Sequence, residues 1–181
     1  SNFSSDKKIS LHGIYEGYGK RVMAEAIIPR DCIKLLQTTP EEMYRYYKCQ
    51  REASIRAGML GCNGHVMNGI TALFIATGQD VASAVHSVTS ISMCEITERG
   101  DLLTNVYIPN LLIGTVGGGT GIGTARECLE ILGCYGQGKA KKFAEIVAAT
   151  VLAGEISILA SQANGSFVMA HEEFARKKPL A

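Results

Sequence analysis

A glycine-rich run, Gly114-Thr-Val-Gly-Gly-Gly-Thr-Gly-Ile-Gly-Thr124, lies between a strand-like stretch and a helix-like one. In that setting backbone N–H groups can cradle an anion. The run lacks a Gly-Lys-Ser/Thr ending and no frame gives G-x-G-x-x-G, which removes the P-loop and dinucleotide-fold fingerprints. A ligand-contacting loop and a tight turn without ligand both remain open. His65 and Asn68, three apart in an otherwise apolar run, should share a helix face and need partners or a cavity. They read either as satisfied core groups or as ligand-facing ones. Asp80 follows a helix-ending Gly78, where an aspartate is ordinarily an N-cap. Lys7 and Lys8 ordinarily belong to a solvated loop, and His171 to the surface of a terminal helix. Glu155, inside the apolar residues 146–163, reads as a buried, hydrogen-bonded carboxylate. His12 and His86 carry no partner pattern, and no His/Cys/carboxylate group has metal-ligand spacing, so no metal is expected.

The elements that must position these groups are legible from periodicity and breakers. Residues 20–28 read as a strand closed by Pro29, and 31–37 as a short helix. A second helix opens where Thr39 caps, Pro40 takes the first position and Glu41 and Glu42 face the dipole. Small residues recurring from 52 to 77 predict one long core helix, ended by Gly78, with a short helix from Asp80 to about Val88. Runs 90–97 and 102–108 predict an antiparallel hairpin, and 111–116 a further strand leading into the glycine loop. Helices follow from Gly123 or Thr124 to Gly133, from Lys139 to about Asn164, and around His171. Segregated helices and antiparallel strands predict an α+β domain.

At 181 residues, 46% hydrophobic and 19% charged, the chain can bury one sizeable core, so a single domain over 1–181 is expected. A net charge of +1 without a long basic run excludes nucleic acid as an evident partner. Six cysteines without a C-x-x-C pair read as reduced thiols in a cytosol-like compartment. No signal peptide or spanning segment is visible, and the polar opening residues look like a cut from something longer. Whether a parent protein carries a membrane anchor is left open.

Taken together, Asp6-Lys-Lys8, Glu16-Gly-Tyr-Gly-Lys20, Asn63-Gly-His-Val-Met-Asn68, Gly78-Gln-Asp80, Gly114-Thr-Val-Gly-Gly-Gly-Thr120 and Ala153-Gly-Glu155 stand in one order over residues 2–176. In these motifs and their spacing the chain resembles the 3-hydroxy-3-methylglutaryl-coenzyme A (HMG-CoA) reductase family, in particular the class of animals, fungi, plants and archaea. The resemblance implies the C-terminal part of the large, substrate-binding domain of that family's catalytic region. It also implies reduction of HMG-CoA to mevalonate and coenzyme A by NADPH, on the route to isoprenoids.

The resemblance assigns Lys7 to stabilising the reacting carbonyl oxygen, Asp80 to holding that lysine, and His171 to protonating the coenzyme A thiolate. It places Asp6, Lys8, Lys48, His65 and Asn68 around the hydroxymethylglutaryl and nicotinamide pocket, and Leu35, Leu36 and Gln37 near coenzyme A. Asn68, Gly117, Gly118 and Gly119 fall on the cofactor side. A homodimer or tetramer is implied. The family's catalytic glutamate and small nucleotide-binding domain belong upstream of these motifs, so the 181 residues alone are expected not to turn over. The competing reading is a non-catalytic dimerising core or acyl-coenzyme A-binding module. The animal and plant enzymes carry a phosphorylatable serine six residues after the histidine, where Lys177 stands here, which implies a tail that kinases cannot switch.

Overall fold

A computed structural model describes residues 7–17 and 19–175. Strand β1 (Lys20–Ile28) turns Val22, Ala24, Ala26 and Ile28 inward and Arg21, Met23, Glu25 and Ile27 outward, the period of two that the sequence predicts. It pairs antiparallel with β3 (Leu102–Leu111), which pairs antiparallel with β2 (Ile91–Ile96), giving the order β1-β3-β2. Pro109 has no N–H to give the ladder, and the register shifts beside it, between Lys20 and Val22 of β1. The hairpin is therefore as predicted. Of residues 111–116, only Leu111 is in a strand.

Seven α-helices accompany this sheet among the described residues: α1 (Leu11–Glu16), α2 (Arg30–Ile33), α3 (Pro40–Arg56), α4 (Val66–Ala76), α5 (Gly123–Ile131), α6 (Ala140–Ala163) and α7 (Ser166–Ala170). Helix α3 starts as the sequence demands. Thr39 accepts the Glu42 N–H while the Glu42 carboxylate accepts the Thr39 N–H, a full capping box with Pro40 in the first turn. The core lies between α6 and the sheet. Phe143, Val147 and Val151 of α6 are fully buried with Ile70 and Phe74 of α4 and Val106 and Ile108 of β3. Each such side chain contributes roughly 1.5–3 kcal/mol by leaving water. Helix α6 is long and apolar enough to cross a membrane, but half of its apolar stretch is buried in this core. The result is the expected α+β arrangement. On the sheet's other face Met23, Tyr107 and Ile91, neighbours across the three strands, are exposed, while Asn105 beside them is buried.

The continuous helix expected over 52–77 does not exist, and the long central helix is α6. Helix α3 stops at Arg56, where Gly58 takes φ +67 and donates its N–H to Ile55 O while Met59 N–H reaches Ser54 O. That is a glycine C-cap, and its left-handed residue ends the helix at little cost. The chain then touches the sheet edge, Cys62 N–H donating to Ser90 O and Ser92 N–H to Cys62 O, before α4 begins. Small residues that suggest a helix contact stripe serve a turn here. The helix expected over 31–37 is shorter and mixed, α2 followed by a 3-10 turn, Lys34–Leu36, with Gln37 in the left-handed region at φ 56.

Glu155 ties these pieces together, as the buried carboxylate expected. It is 7% exposed. Its Oε1 accepts the N–H groups of Gly64 (3.0 Å), His65 and Val66 (3.0 Å), and its Oε2 accepts the Ser92 hydroxyl at 2.8 Å. A negative charge thus sits on the free N–H groups at the start of α4, where the helix dipole favours it.

Two outcomes follow from this packing. Glu155→Gln should lose about 2–3 kcal/mol in denaturant unfolding, because an amide NH₂ would face N–H donors. A loss below about 0.5 kcal/mol would contradict the anchor. Burial, with the charge of Glu95 adding, pushes the Cys94 thiol up to about 12, while Cys32 and Cys49 are exposed. Since an unfolded thiol titrates near about 8.5, this shift stabilises the fold below that pH and the contribution is lost as pH rises toward 12. Alkylation at about pH 8 should therefore mark Cys32 and Cys49 before Cys94, as peptide mapping would read.

Candidate functional site

Helix α4 ends at a turn that aims two functional groups. Gly78 adopts φ +66, Gln79 N–H returns to Phe74 O at 2.9 Å, and Asp80 caps a 3-10 turn, Val81–Ser87. The Asp80 carboxylate is used at both ends. Oδ1 accepts the Ala82 N–H at 3.2 Å and Oδ2 faces Lys7 Nζ at 3.0 Å. The N-cap reading and the lysine-holding reading are thus compatible in one side chain. Both side chains are about half exposed, so the pair is worth at most about 1 kcal/mol to stability. What it supplies is a defined place for an ammonium group.

The glycine loop comes to the same turn. Gln79 Nε2 donates to Thr77 O and Gly114 O, both at 3.0 Å, and its Oε1 accepts the Gly114 N–H at 2.8 Å. The backbones of Gly78 and Gly119 then touch: a Cβ on Gly78 would fall 2.3 Å from Gly119 O, and one on Gly119 would fall 2.5 Å from Gly78 O. Neither position admits a side chain without displacing backbone. Gly117 (φ +78) and Gly118 (φ +55) differ, since a Cβ there would meet nothing within 4 Å. Their glycine character leaves bare backbone on the loop's open side, just before the N-terminus of α5. Such a surface accepts an anionic or amide-bearing ligand closely.

The other expected site residues lie farther apart. His65 precedes α4 and does not share an uninterrupted helix face with Asn68. Its ring lies on Gly154 of α6, where a Cβ would fall 1.7 Å from His65 Cδ2, and against Gly69, where one would fall 2.9 Å from Nε2. Asn68 is exposed. Both stand toward the opposite end of α4 from Asp80, and that helix spans roughly 16 Å. Asn63 connects the two ends, donating to Val88 O at 3.0 Å and Ser90 O at 2.8 Å where the Val81–Ser87 turn runs out. Lys48 is exposed on α3, 5.5 Å over the Tyr44 ring, and borders a groove of about 550 Å³ with Arg45, Arg51 and Glu52. Leu35 is exposed, and Leu36 O accepts the Asn164 side-chain N–H at 3.0 Å. His171 is exposed at the head of a π-turn, His171–Ala175, its Nδ1 2.9 Å from Phe167 O and its ring 4.4 Å from the Phe167 ring. Lys8 is exposed. Asp6 and Lys177 lie outside the described residues.

The structure therefore unites Lys7, Asp80 and the Gly117–Gly119 loop, while His65 with Asn68, Lys48, the 35–37 turn and His171 each occupy their own neighbourhoods. Three residues that hold the site were given no individual role by sequence reasoning: Gln79, Asn63 and Gly154. The available signal was their place inside the quoted motifs, each within two positions of a residue with an assigned role.

The sequence profile of hydroxymethylglutaryl-coenzyme A reductase matches residues 1–176. Among curated relatives, the 3-hydroxy-3-methylglutaryl-coenzyme A reductase of Pyrococcus abyssi is 45% identical over 183 aligned positions, covering 97% of this chain and 45% of the relative. That of Methanocaldococcus jannaschii is 43% identical, covering 97% and 44%. A plant form, reductase 1 of Oryza sativa subsp. indica, is 43% identical, covering 97% and 34%. The chain thus spans less than half the length of these relatives. With a profile match over nearly all its residues, the chain belongs to the hydroxymethylglutaryl-coenzyme A reductase family.

Proposed function

We propose that this chain provides the oxyanion-stabilising and glycine-loop part of a reductase that converts HMG-CoA to mevalonate and coenzyme A at the expense of NADPH. The observation that carries the reading is the Lys7–Asp80 pair, 3.0 Å apart and tied to the glycine loop through Gln79. NADPH supplies hydride when bound. Gly117 and Gly118 fit its approach because no side chain covers their backbone, and the exposure of Asn68 on α4 is compatible with an amide contact to the cofactor side.

Lys7 Nζ donates a hydrogen bond to the carbonyl oxygen of the thioester, where negative charge grows as the carbon is reduced. Asp80 holds that ammonium through Oδ2 while its Oδ1 stays fixed on the Ala82 N–H, so the carboxylate cannot swing away. Asp6, Lys8 and Lys48 bind around the substrate's polar end, the two lysines toward its free carboxylate. His65, seated on Gly154, contributes an imidazole to substrate binding from the start of α4. His171 is exposed, and its imidazole gives a proton to the departing thiolate. Leu35, Leu36 and Gln37 lie along coenzyme A. The active assembly is a homo-oligomer, and the six free cysteines support a reducing, cytosol-like compartment.

NADPH oxidation dependent on HMG-CoA, measured on the protein as its gene encodes it, tests the reading. Turnover within roughly 1–1,000 per second is expected. Binding of HMG-CoA without any oxidation would favour a non-catalytic acyl-coenzyme A module. Lys7→Ala should lower kcat about a hundredfold, close to 3 kcal/mol, with coenzyme A affinity retained. Asp80→Asn should do similar damage while changing unfolding stability by less than about 1 kcal/mol, since the pair is exposed. Near-normal turnover in either variant would reduce that residue to a surface structural role.

A further inference from the structure

We propose that Gln79 is the positioning residue that fixes the cofactor loop against the Lys7–Asp80 pair. This inference rests on the reductase reading and deepens it. Gln79 is not a catalytic residue, since its amide is fully engaged by backbone. Both ends of that amide reach Gly114: Oε1 accepts its N–H at 2.8 Å and Nε2 donates to its carbonyl at 3.0 Å, while Nε2 also donates to Thr77 O at 3.0 Å. The side chain therefore locks the entrance of the glycine loop to the last turn of α4. Residue 80, the next in the chain, carries the carboxylate that holds Lys7.

The Gly78–Gly119 contact alone cannot set this geometry. It brings two backbones within van der Waals distance, yet two smooth backbones can slide past one another. The amide supplies direction. No other side chain of similar size does the same: glutamate at neutral pH accepts but cannot donate to Gly114 O, leucine does neither, and asparagine is one methylene too short to span both segments. A shift of about 1 Å between hydride donor and oxyanion pole is enough to cost on the order of a hundredfold in rate.

The test uses Gln79→Leu, Gln79→Asn and Gln79→Glu in the protein as its gene encodes it, with kcat, both KM values and thermal unfolding measured for each. Gln79→Leu and Gln79→Asn should lower kcat by about tenfold or more and raise KM for NADPH, leaving KM for HMG-CoA within about twofold. Gln79→Glu should match them at about pH 8 and recover relative to wild type as pH falls toward the ordinary carboxylate range near about 4.3. Once protonated, the carboxyl introduced by Gln79→Glu would again donate to Gly114 O while accepting its N–H, and a purely structural role would restore thermal stability over that range without a selective recovery of KM for NADPH. Should Gln79→Leu fail to fold, the split between the two KM values in Gln79→Glu, and its closing as pH falls, decides alone. Losses that follow thermal stability with no split between the two KM values, or unchanged kinetics, would overturn the inference. Wild-type protein inert toward HMG-CoA would overturn the reductase reading, whereas active wild type with unaffected Gln79 variants would overturn this inference only.

Discussion

A carboxylate taken out of water, with no salt bridge among the described residues, has to be surrounded by donors, and Glu155 satisfies that demand with the N–H groups of residues 64–66 and the Ser92 hydroxyl. The requirement is severe because leaving even one oxygen unmet would cost several kcal/mol. It fixes three elements at once: α6 carries the carboxylate, α4 begins on it, and β2 touches it. Everything at the far end of α4 inherits its place from this anchor. Gly78, Gln79 and Asp80 are where they are because α4 starts where Glu155 holds it.

Burial divides the polar groups into two kinds. The anchor is buried and carries structure, whereas the Lys7–Asp80 pair is half exposed and contributes little to folding. The proposed reaction, which needs an ammonium group at the reacting carbonyl, would gain from this separation. The ammonium stays half exposed, open to a substrate, and the fold gains little from it. The glycine loop follows the same logic in backbone form: Gly119 is committed to packing against Gly78, and Gly117 and Gly118 are left bare.

Much of the fold was legible because local chemistry and tertiary need agree. The Thr39-Pro40-Glu41-Glu42 start of α3, the 91–96 and 102–111 pairing, and the span of α6 between Lys139 and Asn164 all follow from capping or periodicity. The failure over 52–77 has a clear cause. Small residues permit both close helix packing and a reversal of the chain, and nothing local in Gly58 or Gly61 tells which one the tertiary contacts will select. Family resemblance, not residue pattern, pointed to Lys7 and Asp80, and the structure adds their contact. Glu155 was legible as a buried carboxylate, but its partners, 63 to 91 positions away in sequence, were not. Motif membership marked Gln79 and Gly154, but their partners were not legible for the same reason: each acts on a segment distant in the chain.

The point where Cys62 meets Ile91 does more than mark the end of a misread helix. Strands β1 and β2 both lie at edges of a three-stranded sheet, and an unpaired edge invites another chain to add a strand. At the start of β2 the backbone of Cys62 already occupies the groups such a strand would need. The turn that separates α3 from α4 therefore also takes up the Ser90 carbonyl and the Ser92 N–H, shortening the free edge that β2 offers to another strand.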